Sequence, residues 1–369
     1  MRLLSSRLIM DEDYELMRSD YRKYISRKII FIIACIVSVI ILAGISCTLG
    51  GRQIEFFHVY QVIWDHISGA VYEHGSEGWW DDYIICSIRM PRIVMAVIAG
   101  ASLALGGLAM QSVMSNSLAE PYTTGISSGA CFGAVLALII GFSFSATVGQ
   151  YGIVTNAFLC GMIPAIIIIL ISRYVHTSPA TLVLAGIAIS YMFSAMTTLI
   201  QITAHPDDLQ AAYLWQVGSL ADVSWSDIPL MLTITIIGSI FLQYTSNKLN
   251  ILTLGDDSAK SLGLDAAQYR MICLILISLM TASIISYTGI IGFVGLTAPH
   301  IVRMTLGSDN KYLVPASMAF GSVLMLFADL LGRTIIPGEL PVGLIMSFIG
   351  GILFLYLILN QKKGYGEAY

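Results

Sequence analysis

Two carboxylates beside a lysine form the first chemically active grouping in this chain. Asp256, Asp257 and Lys260 lie within the stretch 252–264, bracketed by Gly255 and Gly263, with long apolar runs on both sides. A turn between two membrane-length runs needs few residues, yet roughly twenty, about 247–268, separate them here. Asp256 is a residue type that caps helix N-termini, and glycine commonly ends a helix in the left-handed region. The spacing predicts a short helix from Asp256 to Leu262 that lies on the membrane face and presents a surface to a partner. A plain solvated loop is the alternative reading.

The other ionisable groups are sparse. Asp329 and Arg333 stand four apart, the spacing of a local ion pair on one helix face, near the end of an apolar run. A proton-driven pump usually needs a deeper acidic relay. Gln111, Asn156 and Gln201 are neutral polar groups suited to bonding across helices. Of six histidines (58, 66, 74, 176, 205, 300), His58, His66 and His74 recur every eight residues. That places them on one face of a surface helix rather than around a metal. The six cysteines (35, 47, 86, 131, 160, 273) include no CxxC pair and read as small apolar packing residues. No GxxxxGK(S/T) phosphate loop is present, since Lys260 and Ser261 follow Ala259, so the chain is not itself an ATP motor. It also lacks HExxH. No cofactor, metal or nucleic-acid site is expected.

The elements that position these residues are set by composition. Hydrophobic residues make up 56% of the 369 and charged residues 11%, with a mean hydropathy of +0.80. Soluble domains carry about 25% charged residues, so this is an all-α polytopic membrane protein. A bilayer core of about 30 Å takes about 20 apolar residues per helix, and helices satisfy their own backbone there. About ten spans are expected, near 29–49, 93–114, 121–142, 152–171, 180–203, 228–244, 270–288, a shorter 293–306, 313–331 and 342–359. The domain limits follow: a tail at 1–28, one transmembrane domain at 29–360 containing the island at 250–267, and a tail at 361–369.

Ten spans put both termini on one side. That side would hold Arg2, Arg7, Arg18, Arg22, Lys23, Arg27, Lys28, Arg173, Lys248, Lys260, Arg270, Arg303, Lys311, Lys362 and Lys363; the other holds Arg52, Arg89, Arg92 and Arg333. The excess makes both termini cytoplasmic and the protein a multi-pass resident of the cell (cytoplasmic or inner) membrane. The first apolar run follows a charged tail and is too long for a cleaved signal. Two outer segments are long. Residues 50–87 carry Trp64, Trp79 and Trp80, and residues 204–227 carry Trp215 and Trp225, suited to an interfacial belt. Residues 211–220 suit a short helix at a cavity mouth. The row Gly125, Gly129, Gly133 and the rows Gly100/Ala104 and Ser102/Gly106 let backbones approach closely. Leu118–Pro121 and Leu296–Pro299 open two spans five apart, which reads as an inverted internal repeat.

At these residues the chain resembles the permease subunits of type II, binding-protein-dependent ABC importers for iron-siderophores, haem and vitamin B12. The likeness covers nearly all of 88–359. It rests on Arg89-Met90-Pro91-Arg92, on Gly100, Leu103, Gly107 and Gln111, and on Asn116-Ser117-Leu118-Ala119-Glu120-Pro121 with Gly125 and Gly129-Ala130. It continues through Leu254–Gly263, Gly292–Leu296, Pro299-His300-Ile301-Val302-Arg303, Ala328-Asp329, Arg333 and Glu339–Gly343. The family usually has proline where Ser117 stands, histidine where Asn310 stands and a proline near Gly351, and its outer segment before Arg89 is shorter.

The resemblance implies a translocation subunit with no enzymatic step of its own. A second permease subunit, like or unlike, would share the path. An ABC ATPase dimer would grip Asp256, Asp257, Ser258, Ala259, Lys260, Ser261, Leu262 and Gly263. An extracytoplasmic binding protein, through its carboxylates, would meet Arg89, Arg92 and Arg333. The cargo would be a metal chelate, an iron-siderophore by family frequency, with haem or cobalamin also open. The alternative class is a secondary transporter driven by an ion gradient, which also uses inverted repeats. An intramembrane enzyme would need a nucleophile–base or metal constellation, and none is visible.

Overall fold

Every predicted apolar segment is helical in the computed structural model. The structure describes residues 2–145, 149–172, 174, 178–336 and 338–364, and at 2–17, 20, 357, 358 and 360–364 the backbone alone. Arg173, His176 and the last five residues of the C-terminal tail lie outside the described residues. In chain order the helices are α1 (Arg2–Thr48), α2 (Phe56–Ile67), α3 (Glu77–Asp82), α4 (Met90–Val113), α5 (Ile126–Val135), α6 (Gln150–Ser172), α7 (Pro179–Ile202), α8 (Pro206–Val217), α9 (Ile228–Tyr244), α10 (Ser246–Leu252), α11 (Asp256–Ser261), α12 (Ala266–Thr288), α13 (Val294–Leu306), α14 (Asn310–Thr334) and α15 (Val342–Gly364). A π-helical turn at Tyr83–Arg89 joins α3 to α4, and a second, Leu136–Ile140, extends α5. No strand occurs among the described residues.

Length decides which helices can cross a bilayer. Among the described residues, six are long and apolar enough: the Tyr21–Thr48 part of α1, the continuous run Glu77–Val113, α6, α7, α12 and α14. The pair α9 and α10, bent by 65°, makes a seventh if it counts as one span. The apolar runs Ile126–Ile140 and Val342–Tyr356 are shorter. At thirteen residues, α13 reaches only about 20 Å. Two boundaries differ from expectation. The N-terminal tail continues helically into the first span, and the second span begins sixteen residues before Ile93, because the π turn lets α3 run into α4 without a break.

The bundle is organised around α4, whose apolar window is 89% buried. Helices α14, α12, α13 and α9 pack on it. The reason is in its sequence: Gly100, Ala104, Gly106 and Gly107 leave a surface without side-chain bulk. A Cβ on Gly107 would stand 1.8 Å from the Gly295 carbonyl oxygen, and one on Gly100 would stand 2.4 Å from that of Gly321. No residue but glycine fits at such contacts. The Gly129/Gly133 row meets α6 at Cys160 and Asn156 in the same way. The small-residue rows are therefore intrachain packing seams. All six cysteines are free and buried.

The two segments expected to correspond by internal repeat are stitched together. Glu120 accepts from the Phe293 backbone N–H (3.2 Å), and the Tyr122 hydroxyl donates to the Ile291 carbonyl (2.7 Å). Phe293 sits at φ +67° and starts α13. A bulky residue adopts that left-handed backbone only where its surroundings impose it.

Candidate functional site

The polar island folds as expected in outline and differs in its cap. Gly255 (φ +91°) is the N-cap of α11 and Leu262 its C-cap, with Gly263 (φ +79°) turning the chain away. Asp256 occupies the first turn and caps nothing. Its carboxylate instead accepts from Arg270 Nη2 at 2.5 Å and Nη1 at 3.3 Å. With Asp257 also in the first turn and Lys260 in the last, the charges complement the helix dipole. Ala259 is buried and holds the helix down, while Leu254 and Leu262 are exposed. An open groove of about 520 Å³ runs alongside, lined by Asp256, Asp257, Lys260, Gly263, Leu264 and Asp265.

Arg270 carries the link from this helix into the bundle. It is fully buried in the first turns of α12, and its Nε donates to the Val113 carbonyl at the end of α4 (3.0 Å). The Ser115 hydroxyl donates to the Leu252 carbonyl (2.9 Å), a second tie between α10 and the turn after α4. Sequence reasoning counted Arg270 only as one more positive charge. The signal available was a lone arginine opening an apolar span fourteen residues after an aspartate.

Near this end of α4 a polar recess of about 310 Å³ is lined by Gln111, Ser112, Asn116, Thr253, Arg303 and Asn310, among others. Asn310, where the resembled family has histidine, is buried. Its Oδ1 accepts from the Ser112 hydroxyl (3.3 Å) and its N–H donates to Asn250 Oδ1 (2.8 Å).

The opposite end holds the three arginines expected to face a docking protein, and it holds them inside. Arg89, Arg92 and Arg333 are each only 5–6% exposed. Arg92 donates from Nε to Asp329 Oδ1 (2.8 Å) and from Nη1 to Glu339 Oε2 (2.6 Å). Arg333 Nη2 lies 2.9 Å from Asp329 Oδ2, the i, i+4 pair read from sequence. Arg333 Nη1 also donates to the Ser46 carbonyl (3.1 Å). Arg89 donates to the Cys47 carbonyl (2.5 Å) and to that of Arg52. Together they staple the end of α1 to α4 and α14. Of the residues bonded to these arginines, Glu339 and Arg52 reach the surface, 43% and 42% exposed.

The other sequence candidates separate. His58 and His66 share α2 but pair with Asp81 and Asp82. Their supposed third partner, His74, lies beyond the end of α2 and packs at a tilt against Trp79, ring centroids 4.4 Å apart. Asn156 bridges the loop after α5: its Nδ2 donates to the Phe142 carbonyl (2.7 Å) and its Oδ1 accepts from the Phe144 N–H (2.9 Å). Gln111 Nε2 reaches the Gly295 and Leu296 carbonyls at 3.4 Å. The short helix expected at 211–220 begins earlier, as α8. It borders a cavity of about 380 Å³ with Leu138, Trp215, Asp222, Tyr287 and Pro341.

Comparison with known proteins places this architecture. The model of the FecCD transport family matches residues 32–360. An ABC transporter permease protein of Methanocaldococcus jannaschii is 38% identical over 353 residues, 93% of this chain and 98% of that protein. The hemin transport system permease protein of Yersinia pestis is 33% identical over 329 residues, covering 89% and 95%. A solved structure of a metal-chelate type ABC transporter in an inward-facing conformation aligns with a TM-score of 0.77 at 28% identity, over 89% of this chain and 98% of that one. An all-helical bundle built round a glycine-faced central helix, matched along nearly its whole length, thus belongs to the FecCD transport family.

Proposed function

We propose that the chain is the membrane-spanning permease of an ATP-driven importer, sited in the cell membrane with both termini cytoplasmic. The observation that carries this is α11. It is a charged, exposed helix with a buried arginine joining it to the central helix. A structure that presents a polar stub outward and ties it inward is suited to receive force. The chain has no phosphate loop, so that force comes from a separate ATPase pair seated on Asp256–Gly263. All ten apolar segments then count as spans, the short α13 being buried among its neighbours rather than facing lipid.

A second permease copy or a related subunit shares the path, and an extracytoplasmic binding protein docks on the end held by Arg89, Arg92 and Arg333. Because those arginines are buried, they shape the docking face from within, and Glu339 and Arg52 meet the partner first. The cargo is a metal chelate, in keeping with the hemin permease and the metal-chelate transporter among the similar proteins. An iron-siderophore is the cargo we favour. The chain performs no covalent chemistry; it alternates the opening of its path as the ATPases close and part.

The test is reconstitution with the cognate ATPase and binding protein in liposomes. Chelate uptake that requires ATP and both partners is the expected result. Uphill uptake by this protein alone, driven by an ion gradient, would overturn the proposal.

A further inference from the structure

The outer extension between α1 and α4 contains a cluster that the transport reading leaves idle. His66 lies near the end of α2, Asp82 ends α3, and Cys86 follows within the π turn. One ligand atom of each lies within 4.8 Å of the other two. His66 Nδ1 is 2.7 Å from Asp82 Oδ1, and the Cys86 sulfur lies within 4.8 Å of both ligand atoms. We propose that His66, Asp82 and Cys86 form a binding site for one zinc-class divalent cation, which pins α2 to the base of α4.

The donor set selects the metal. An imidazole nitrogen, a carboxylate oxygen and a thiolate sulfur suit zinc and its neighbours, whereas magnesium and calcium take oxygen ligands. With Zn–N, Zn–O and Zn–S bonds of about 2.0–2.3 Å, tetrahedral ligands stand roughly 3.3–3.6 Å apart. The His66–Asp82 contact must open by roughly 0.6–0.9 Å and the sulfur closes in, shifts within side-chain reach. The site is graded from inside to outside. Cys86 is buried at its floor, Asp82 is 22% exposed and His66 52% exposed at its rim. Three protein ligands and an open side leave the fourth position to water.

The pair next door shows what distinguishes this cluster. His58 also meets a carboxylate, Asp81, at 3.3 Å, but the Arg52 guanidinium lies 3.0 Å from that same aspartate and already supplies the cation. Among the described residues no lysine or arginine stands within ion-pair distance of Asp82, and a sulfur is present instead. Residues 68–76, which return the chain to α3, are closed by a hydrogen bond from the Tyr72 hydroxyl to Asp65 (3.0 Å). The loop therefore holds α2 against α3 before any ion arrives.

The experiment uses the full-length protein, purified metal-free in detergent and titrated with cobalt(II), then with zinc. About one cobalt per chain, with a thiolate-to-metal charge-transfer band that zinc abolishes, is the expected result. Cys86→Ser, nearly isosteric, removes the band, and His66→Gln weakens binding by at least about tenfold. A wild-type protein without the band overturns the site, as does a Cys86→Ser protein that binds cobalt with the same spectrum and affinity. The readout needs neither ATPase nor cargo, so its failure leaves the transport proposal standing.

Discussion

Arg270 holds Asp256 of the exposed helix α11 at 2.5 Å through Nη2, while its Nε donates to the Val113 carbonyl at the end of the central helix α4. One buried guanidinium thus bonds both the surface that a partner would grip and the element around which the bundle packs. Asp256→Asn keeps the shape and removes the charge. Hydrogen bonds to charged groups contribute roughly 1.5–3 kcal/mol, less where the carboxylate is half exposed. A modest fall in the unfolding midpoint is expected, with a larger fall in chelate moved per ATP hydrolysed. The ratio of uptake to hydrolysis in liposomes measures it.

Reversing both acids acts more strongly. Asp256→Lys with Asp257→Lys places two cations in the first turn of α11, against the dipole and beside Arg270. ATP hydrolysis by the assembled complex is expected to continue without uptake, or the ATPase to fail to co-purify. Wild-type uptake by the double variant would remove α11 from the coupling role.

Asp329 pairs with two buried arginines, Arg92 and Arg333. Asp329→Ala leaves Arg92 and Arg333 adjacent in a poorly hydrated wall. Breaking a buried pair from one side is destabilising by about 3–5 kcal/mol, so loss of monodisperse protein or a large drop in thermal midpoint is expected. Because the arginines are internal, their reversal to glutamate should also show first as misfolding rather than as a selective loss of docking.

Docking itself is better read at Glu339. Glu339→Gln retains a hydrogen-bond acceptor for Arg92 and makes the outer face more positive. If the binding protein brings carboxylates, its association rate rises at low salt. The difference disappears near 1 M salt, where the screening length is about 3 Å. Stopped-flow or surface-binding kinetics over a salt series checks both the sign and its loss.

The glycine seams make a steric prediction with an internal control. Gly107→Ala puts a methyl 1.8 Å from the Gly295 oxygen, whereas Gly292→Ala meets nothing within 4 Å. The first is expected to lower folded yield sharply and the second to be tolerated, as size-exclusion profiles would show.

Apolar run length made the helices legible, and Gly255 and Gly263 made α11 legible, because both signals are local. What escaped was set by partners distant in sequence. Arg92 and Asp329 are 237 positions apart, so nothing near Arg92 reveals that it is buried rather than presented. Glu120 meets the Phe293 N–H across 173 positions and was read only as part of a repeat. The capping role expected of Asp256 failed because a fourteen-residue link to Arg270 took its carboxylate first. The regular spacing of His58, His66 and His74 misled because α2 ends at Ile67, before the third histidine.

The contact of Gly107 with Gly295 and of Gly100 with Gly321 leaves α4 no slack against α13 or α14. If α11 is the coupling helix, a pull on it through Arg270 would not be absorbed as a private twist of one rod. The three would shift as a single block, with the 65° elbow between α9 and α10 lying outside it.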